Sequence, residues 1–108
     1  MVQPRSLVQC SQELQATFEE LLESRNVYYN PPASVKMGYP AIVFERSNIA
    51  NRFANNSVYK QAYRYEVTVI TDDPDDPIIE KISNLPSCSF DRAFVSDNLH
   101  HNVFTIYK

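Results

Sequence analysis

Glycine is almost missing from this chain: Gly38 is the only one, and there is no tryptophan. Phosphate cradles of the P-loop and dinucleotide kinds need glycines where the backbone must approach a ligand closely, and so do oxyanion holes and the sharp turn of an EF-hand loop. Those chemistries are therefore not expected. Cysteine is sparse as well. Cys10 and Cys88 give neither the dense spacing of a disulfide scaffold nor a Cys-His ligand cluster, so they read as two reduced thiols in a cytosolic protein, with no metal and no cofactor. No apolar run approaches the ~20 residues that span a bilayer. The opening Met-Val-Gln-Pro-Arg lacks the apolar stretch of a secretory signal, so the chain is expected to stay in the cytoplasm in which it is made, away from membranes. Positive charge is also short. A formal charge of −3, a pI near 5.3 and Lys and Arg residues scattered along the sequence leave no basic field for a nucleic acid.

What the chain does have is apolar and aromatic material. Its 108 residues are 44% hydrophobic and include seven Tyr and six Phe, enough for one core without a metal or disulfide and too little for two. Residues 1–108 are read as a single domain.

Ser6 followed by Gln9 fits a capping box, and Leu7, Cys10, Leu14, Phe18, Leu21 and Leu22 recur at helical spacing. A first helix is predicted over Leu7 to Ser24, with Asn26 as a left-handed cap. Val27 to Tyr29 make a short strand that Pro31 and Pro32 stop. Gly38 marks a turn. Ala41 to Phe44 are apolar on both parities, which predicts a central strand covered on both faces, from Tyr39 to Arg46. Ser47 to Ser57, with four asparagines, reads as a long hairpin loop. Val58 to Thr71 alternates as a strand, with Tyr63, Tyr65, Val67 and Val69 on the core side. Asp76 and Pro77 predict the start of a second helix that points Ile78, Ile79, Ile82 and Leu85 inward and closes at Pro86. Cys88 to Val95 and Asn102 to Tyr107 form a last hairpin about Asp97-Asn98. The fold class expected is α+β, a mostly antiparallel sheet with two helices packed on one face, in the order α-β-β-β-α-β-β. The opposite face would then be rich in aromatics for a surface.

The candidates for chemistry are weak. The run Asp72 to Asp76 invites calcium, but prolines interrupt it and Ser83 stands where the twelfth-position glutamate of an EF-hand would fall, so helix capping is the better reading. His100 and His101 are neighbours in an extended segment and point to opposite faces, which does not suit one metal. Ser96, Asp97 and His100 could suggest a triad, yet no nucleophile elbow surrounds the serine. Catalytic residues are not assigned, and the chain is expected not to be an enzyme. The signal that remains is for contact: Ile49 and Phe53 in a polar segment, with Arg46 and Arg52 beside them, have the composition of an interface hot spot. Exposed strand edges are a second candidate.

At Tyr39-Pro-Ala-Ile-Val-Phe-Glu-Arg46, Asn51-Arg-Phe-Ala-Asn-Asn56, Tyr65-Glu-Val-Thr-Val-Ile-Thr-Asp-Asp-Pro-Asp75, Phe90-Asp-Arg92 and Asp97-Asn-Leu-His100, the chain resembles small tail proteins of long-tailed bacteriophages, mainly of Gram-positive hosts: the tail terminator, or tail completion, proteins. The likeness runs from about Tyr39 to Lys108. It implies a virion protein of the tail and neck, assembled in the host cytoplasm, that forms a ring expected to be hexameric. Such a ring caps the tail tube, ends its polymerisation and joins tail to head. The implied partners are copies of itself, the tail tube protein and a head-tail connector or stopper, with genomic DNA only passing through the lumen. Arg46, Asn51, Arg52 and Phe53 are the expected contact residues. The alternatives are a head-completion or connector protein of the neck, and a cytosolic α+β domain that binds a small ligand.

Overall fold

The apolar stripe of the first segment forms helix α1 (Leu7–Leu22) and buries Cys10, Leu14 and Phe18, in a computed structural model that describes residues 7–54 and 57–108, and side chains outside 50–62. Ser6, and with it the expected capping box, lies outside the described residues. The helix ends earlier than the asparagine suggested. Glu23, not Asn26, takes the left-handed conformation (φ 57°), and Ser24 N–H donates to the Glu19 carbonyl at 3.3 Å. This is the wrap-back of a Schellman motif, and it falls where the apolar stripe runs out after Leu22. Asn26 instead accepts a bond from Ile42 N–H at 2.9 Å through its carbonyl, so it already belongs to the entry into the sheet.

Four further strands share one sheet with the short strand that follows. β1 (Val27–Tyr29), β2 (Ala41–Ala54), β3 (Ser57–Thr71), helix α2 (Pro77–Ser83), β4 (Cys88–Ser96) and β5 (Leu99–Tyr107) complete the chain. The five strands form one sheet in the order β1-β2-β3-β5-β4, antiparallel except for β1 beside β2. The molecule is thus an α+β fold in the element order expected. Gly38 does not take a left-handed turn. A Cβ there would sit 3.0 Å from Asn26 Nδ2, so the glycine permits close approach of the β1–β2 connection to the helix-to-strand turn.

Alternation decides which side chains meet the helices. In the sheet register Ile42 lies opposite Val69, Phe44 opposite Val67, and Phe104 and Ile106 continue the same face from β5. With Tyr63 and Tyr65 these pack against Cys10, Leu14 and Phe18 of α1 and Ile78 and Ile82 of α2 in one core. Both helices therefore cover the same face. Phe18 meets Phe44 edge-on at 5.2 Å, and Phe44 lies 6.3 Å from Tyr65. Phe18, Phe44, Tyr63, Tyr65 and Phe104 are the aromatics of this core, while Tyr29, Tyr39, Phe90, Phe94 and Tyr107 stay exposed. On the open face Ala41, Ile70 and Val103 are buried by their neighbours within the sheet, and Phe94 stacks on His101 at 4.7 Å.

The largest correction concerns the expected loop from Ser47 to Ser57. β2 and β3 continue through it in register from Asn48↔Arg64 to Ala54↔Ser57, with irregularities between Arg46 and Asn48 and between Arg52 and Phe53. The asparagines suggested turns, but two strands that satisfy each other's backbone groups tolerate residues of low strand propensity, because that propensity is mostly context.

Candidate interaction surface

Past the body of the sheet the β2–β3 hairpin stands alone. β1 pairs with β2 only as far as Phe44, and β5 leaves β3 at Arg64, with Lys108 and Tyr63 exchanging a last pair of backbone bonds at 2.9 and 3.0 Å. Five register pairs lie beyond that point, from Ala50↔Ala62 to Ala54↔Ser57, and no third strand joins them among the described residues. At about 3.4 Å per residue this arm projects roughly 17 Å. The molecule is 51 Å long against 24 and 22 Å across, and its radius of gyration of 15.1 Å exceeds the roughly 13 Å of a compact domain of this size.

The four expected contact residues all lie on β2. Arg46 is exposed at the root of the arm, opposite Tyr65 in register, and Asn51, Arg52 and Phe53 occupy positions opposite Gln61, Lys60 and Val58. Cross-strand bonds at the root hold the ribbon's exit: Arg64 Nε donates to Ser47 Oγ at 3.0 Å, and Ser47 Oγ donates to the Arg64 carbonyl at 3.3 Å. The basic residues that look scattered in the sequence are gathered here. Of the ten Lys and Arg residues, Arg46, Arg52, Lys60 and Arg64 lie on this hairpin, and none of the thirteen Asp and Glu residues falls between them, so the segment carries +4 and the rest of the chain −7.

A second surface is a strand edge, a candidate that the sequence offered without telling which strand it would be. β4 is an edge strand, paired only with β5, and every residue from Ser89 to Ser96 is exposed. Phe90 is 58% and Val95 62% exposed, with Phe94 at 43%. A bulge between Phe90 and Arg92 breaks the pairing with β5, after which Arg92 to Ser96 run regularly to the turn. Asp97 and Asn98 both have positive φ (53° and 62°), the geometry of a two-residue type I′ hairpin. Strand order decides which strand is an edge, and no local pattern in the sequence reports it.

The acidic run beside this edge is occupied in shaping the backbone. Asp76 Oδ1 accepts from Ile78 N–H at 3.0 Å as the cap of α2, and its Oδ2 accepts from the buried Thr71 hydroxyl at 3.1 Å. Thr71 Oγ1 accepts from Asp73 N–H, and Asp73 Oδ1 from Asp75 N–H at 2.9 Å. Among the described residues no group of three or more His, Cys, Asp or Glu is placed to hold a metal ion. His101 stacks on Phe94, while His100 lies opposite Val95, so the two rings take opposite faces. Ser96, Asp97 and His100 share the hairpin tip without a hydrogen bond among their side chains. An open hollow of about 240 Å³ beside Pro74, Phe94, Val95, His100 and His101 is smaller than the 300–1,000 Å³ typical of a small-molecule site. Burial pushes the half-buried Cys88 thiol up, away from the thiolate that a nucleophile requires.

Among the described residues no helix is long and apolar enough to cross a membrane. No protein-family model and no curated protein matches the chain.

Proposed function

We propose that this chain is a structural assembly protein that forms a ring, and that it serves as a tail terminator of a long-tailed bacteriophage: it caps the tail tube, ends tube growth and offers a surface to the head connector. The observation that carries the assembly reading is the free-standing arm. A two-stranded ribbon without a third strand or a helix beneath it is marginal in water, so an arm of this length is best accounted for by a partner that covers it. Two dissimilar surfaces on one chain, an arm and an open edge, fit a head-to-tail contact, which closes into a ring when the rotation returns to its start. The terminator role rests on the resemblance in the β2, β3 and β4–β5 segments.

The test is the mass of the purified full chain in solution, followed by its addition to polymerising tail tube protein encoded beside it. A closed oligomer of one mass and shortened, end-capped tubes are expected. A chain that stays monomeric and leaves tube length unchanged would refute the proposal.

A further inference from the structure

We infer that the ring contact is β-sheet extension: the arm of one copy lies along the β4 edge of the next. This rests on the assembly reading and names the two surfaces that carry it. Apolar, unprotected edges are pairing templates, and monomeric proteins blunt them with charged residues, prolines, bulges or covering segments. In β4 the bulge and the charged Asp91 and Arg92 stand at its first half, but Ala93 to Ser96 carry neither charge nor proline and present Phe94 and Val95 to solvent. Its regular stretch, Arg92 to Ser96, is five residues long, and so is the β2 side of the free arm, Ala50 to Ala54. Each has one row of N–H and C=O groups without a strand partner among the described residues, and each matches the other in length.

Charge chooses the occupant. The arm, residues 50–62, carries Arg52 and Lys60 and no carboxylate, a charge of +2 with two further arginines, Arg46 and Arg64, at its root. Around β4 the balance is reversed. Asp97 sits at its end, Pro74 of the Asp72 to Asp75 turn lines the same hollow as Phe94 and Val95, and the one cation on the strand, Arg92, is already paired with Asp91 at 2.7 Å and Glu66 at 3.5 Å. A basic strand fits that edge and a second acidic one does not, which selects the arm of another copy over the body of one.

Two variants of the full chain test this. Val95→Lys places a cation on the edge at an exposed position, and Arg52→Glu reverses a charge on the arm; both should keep the wild-type circular dichroism spectrum. Each alone is expected to raise the subunit dissociation constant at least about tenfold. Because the contact joins unlike surfaces, mixing the two should restore one good interface per pair and give heterodimers that do not grow into rings. Amide protection of Arg92 to Ser96 should rise with protein concentration in the wild type. If the wild type forms its ring and both variants keep it, edge pairing is wrong while the assembly reading stands. If the wild type never leaves the monomer, both fall. If Arg52→Glu leaves the ring intact and abolishes retention of a short duplex DNA, the arm is a phosphate-binding element and the inference is overturned.

Discussion

Replacing Tyr65 by Phe removes one oxygen from the middle of the core. Tyr65 is fully buried on β3, beneath the helices, and its hydroxyl has no hydrogen-bond partner among the described residues. Burial pushes the phenol up from 10.0 to about 12, with the nearby Cys10, Tyr29 and Tyr63 adding to the rise and the Arg46 guanidinium opposing it. A buried polar group left without a partner costs about 1–3 kcal/mol. Tyr65→Phe should therefore be the more stable protein at pH 7, by about 1 kcal/mol after allowing for the contacts the oxygen does make. The pH dependence carries a second signature. The unfolded chain loses this proton near pH 10 and the folded chain near 12, so between those values the folded state holds more protons and stability falls as pH rises. The fall is about 1.4 kcal/mol per pH unit, roughly 3 kcal/mol across the window. Tyr65→Phe is free of it, so the gap between the two proteins should widen from about 1 kcal/mol below pH 10 to roughly 4 kcal/mol at pH 12. Urea unfolding followed by circular dichroism at steps from pH 7 to 12 measures both. A variant that is less stable than wild type at pH 7, with a gap that does not change with pH, would mean that the hydroxyl is hydrogen-bonded in the folded protein, and the reasoning would fail.

Two local features give further tests. Glu23 ends α1 in the left-handed region at φ 57°, where any residue with a Cβ is strained, so Glu23→Gly should stabilise the fold by about 1 kcal/mol and raise its thermal midpoint; an unchanged or lower midpoint counts against the cap geometry. Asp76 serves α2 as its cap and the buried Thr71 hydroxyl as its acceptor, so Asp76→Ala should cost about 1–3 kcal/mol in chemical denaturation, while Asp76→Asn, which keeps one acceptor oxygen for the cap and loses the one that takes the Thr71 hydroxyl, should cost less. A loss in Asp76→Asn as large as in Asp76→Ala would show that the cap bond contributes nothing.

Where local rules and the global fold agree, the sequence was legible. α1 follows from its stripe, β3 from the alternation of Tyr63, Tyr65, Val67 and Val69, α2 from Asp76-Pro77, and the last hairpin from Asp97-Asn98, because in each case a single period or turn chemistry had no competitor. The Asn-rich stretch was misread for the converse reason. Between Ser47 and Ser57 composition favours turns, and only the mutual pairing of β2 and β3, a contact between strands, makes it a ribbon. Composition proposed Arg46, Asn51, Arg52 and Phe53 as contacts, the last three of them within a loop, whereas all four lie on one strand, Arg46 at the root of the arm and the other three on it. β4 as an edge was out of reach, since β5 inserts between β3 and β4 and nothing within Cys88 to Ser96 encodes that order.

The two places that sequence reasoning failed to place are the same two that lack support from their own chain, and this coincidence has a physical origin. A segment whose structure is dictated by its own residues carries its hydrogen bonds and its apolar burial within the fold, as α1 and the β3 core positions do. The arm and the β4 edge do not close their accounts that way: the ribbon has two open sides, and β4 leaves Phe90, Phe94 and Val95 in water beside an unpaired edge. Local propensity is therefore a poor guide to them, and in the proposed assembly a second copy supplies the support that their own chain does not. The segregation of +4 between Arg46 and Arg64 from −7 elsewhere adds little to the stability of a monomer, since charges spread along a projecting ribbon are screened within about 10 Å in ordinary salt. In the proposed ring it gains a role, because the arm of one copy would reach the edge of another, where opposite signs meet at contact distance and like surfaces are kept apart.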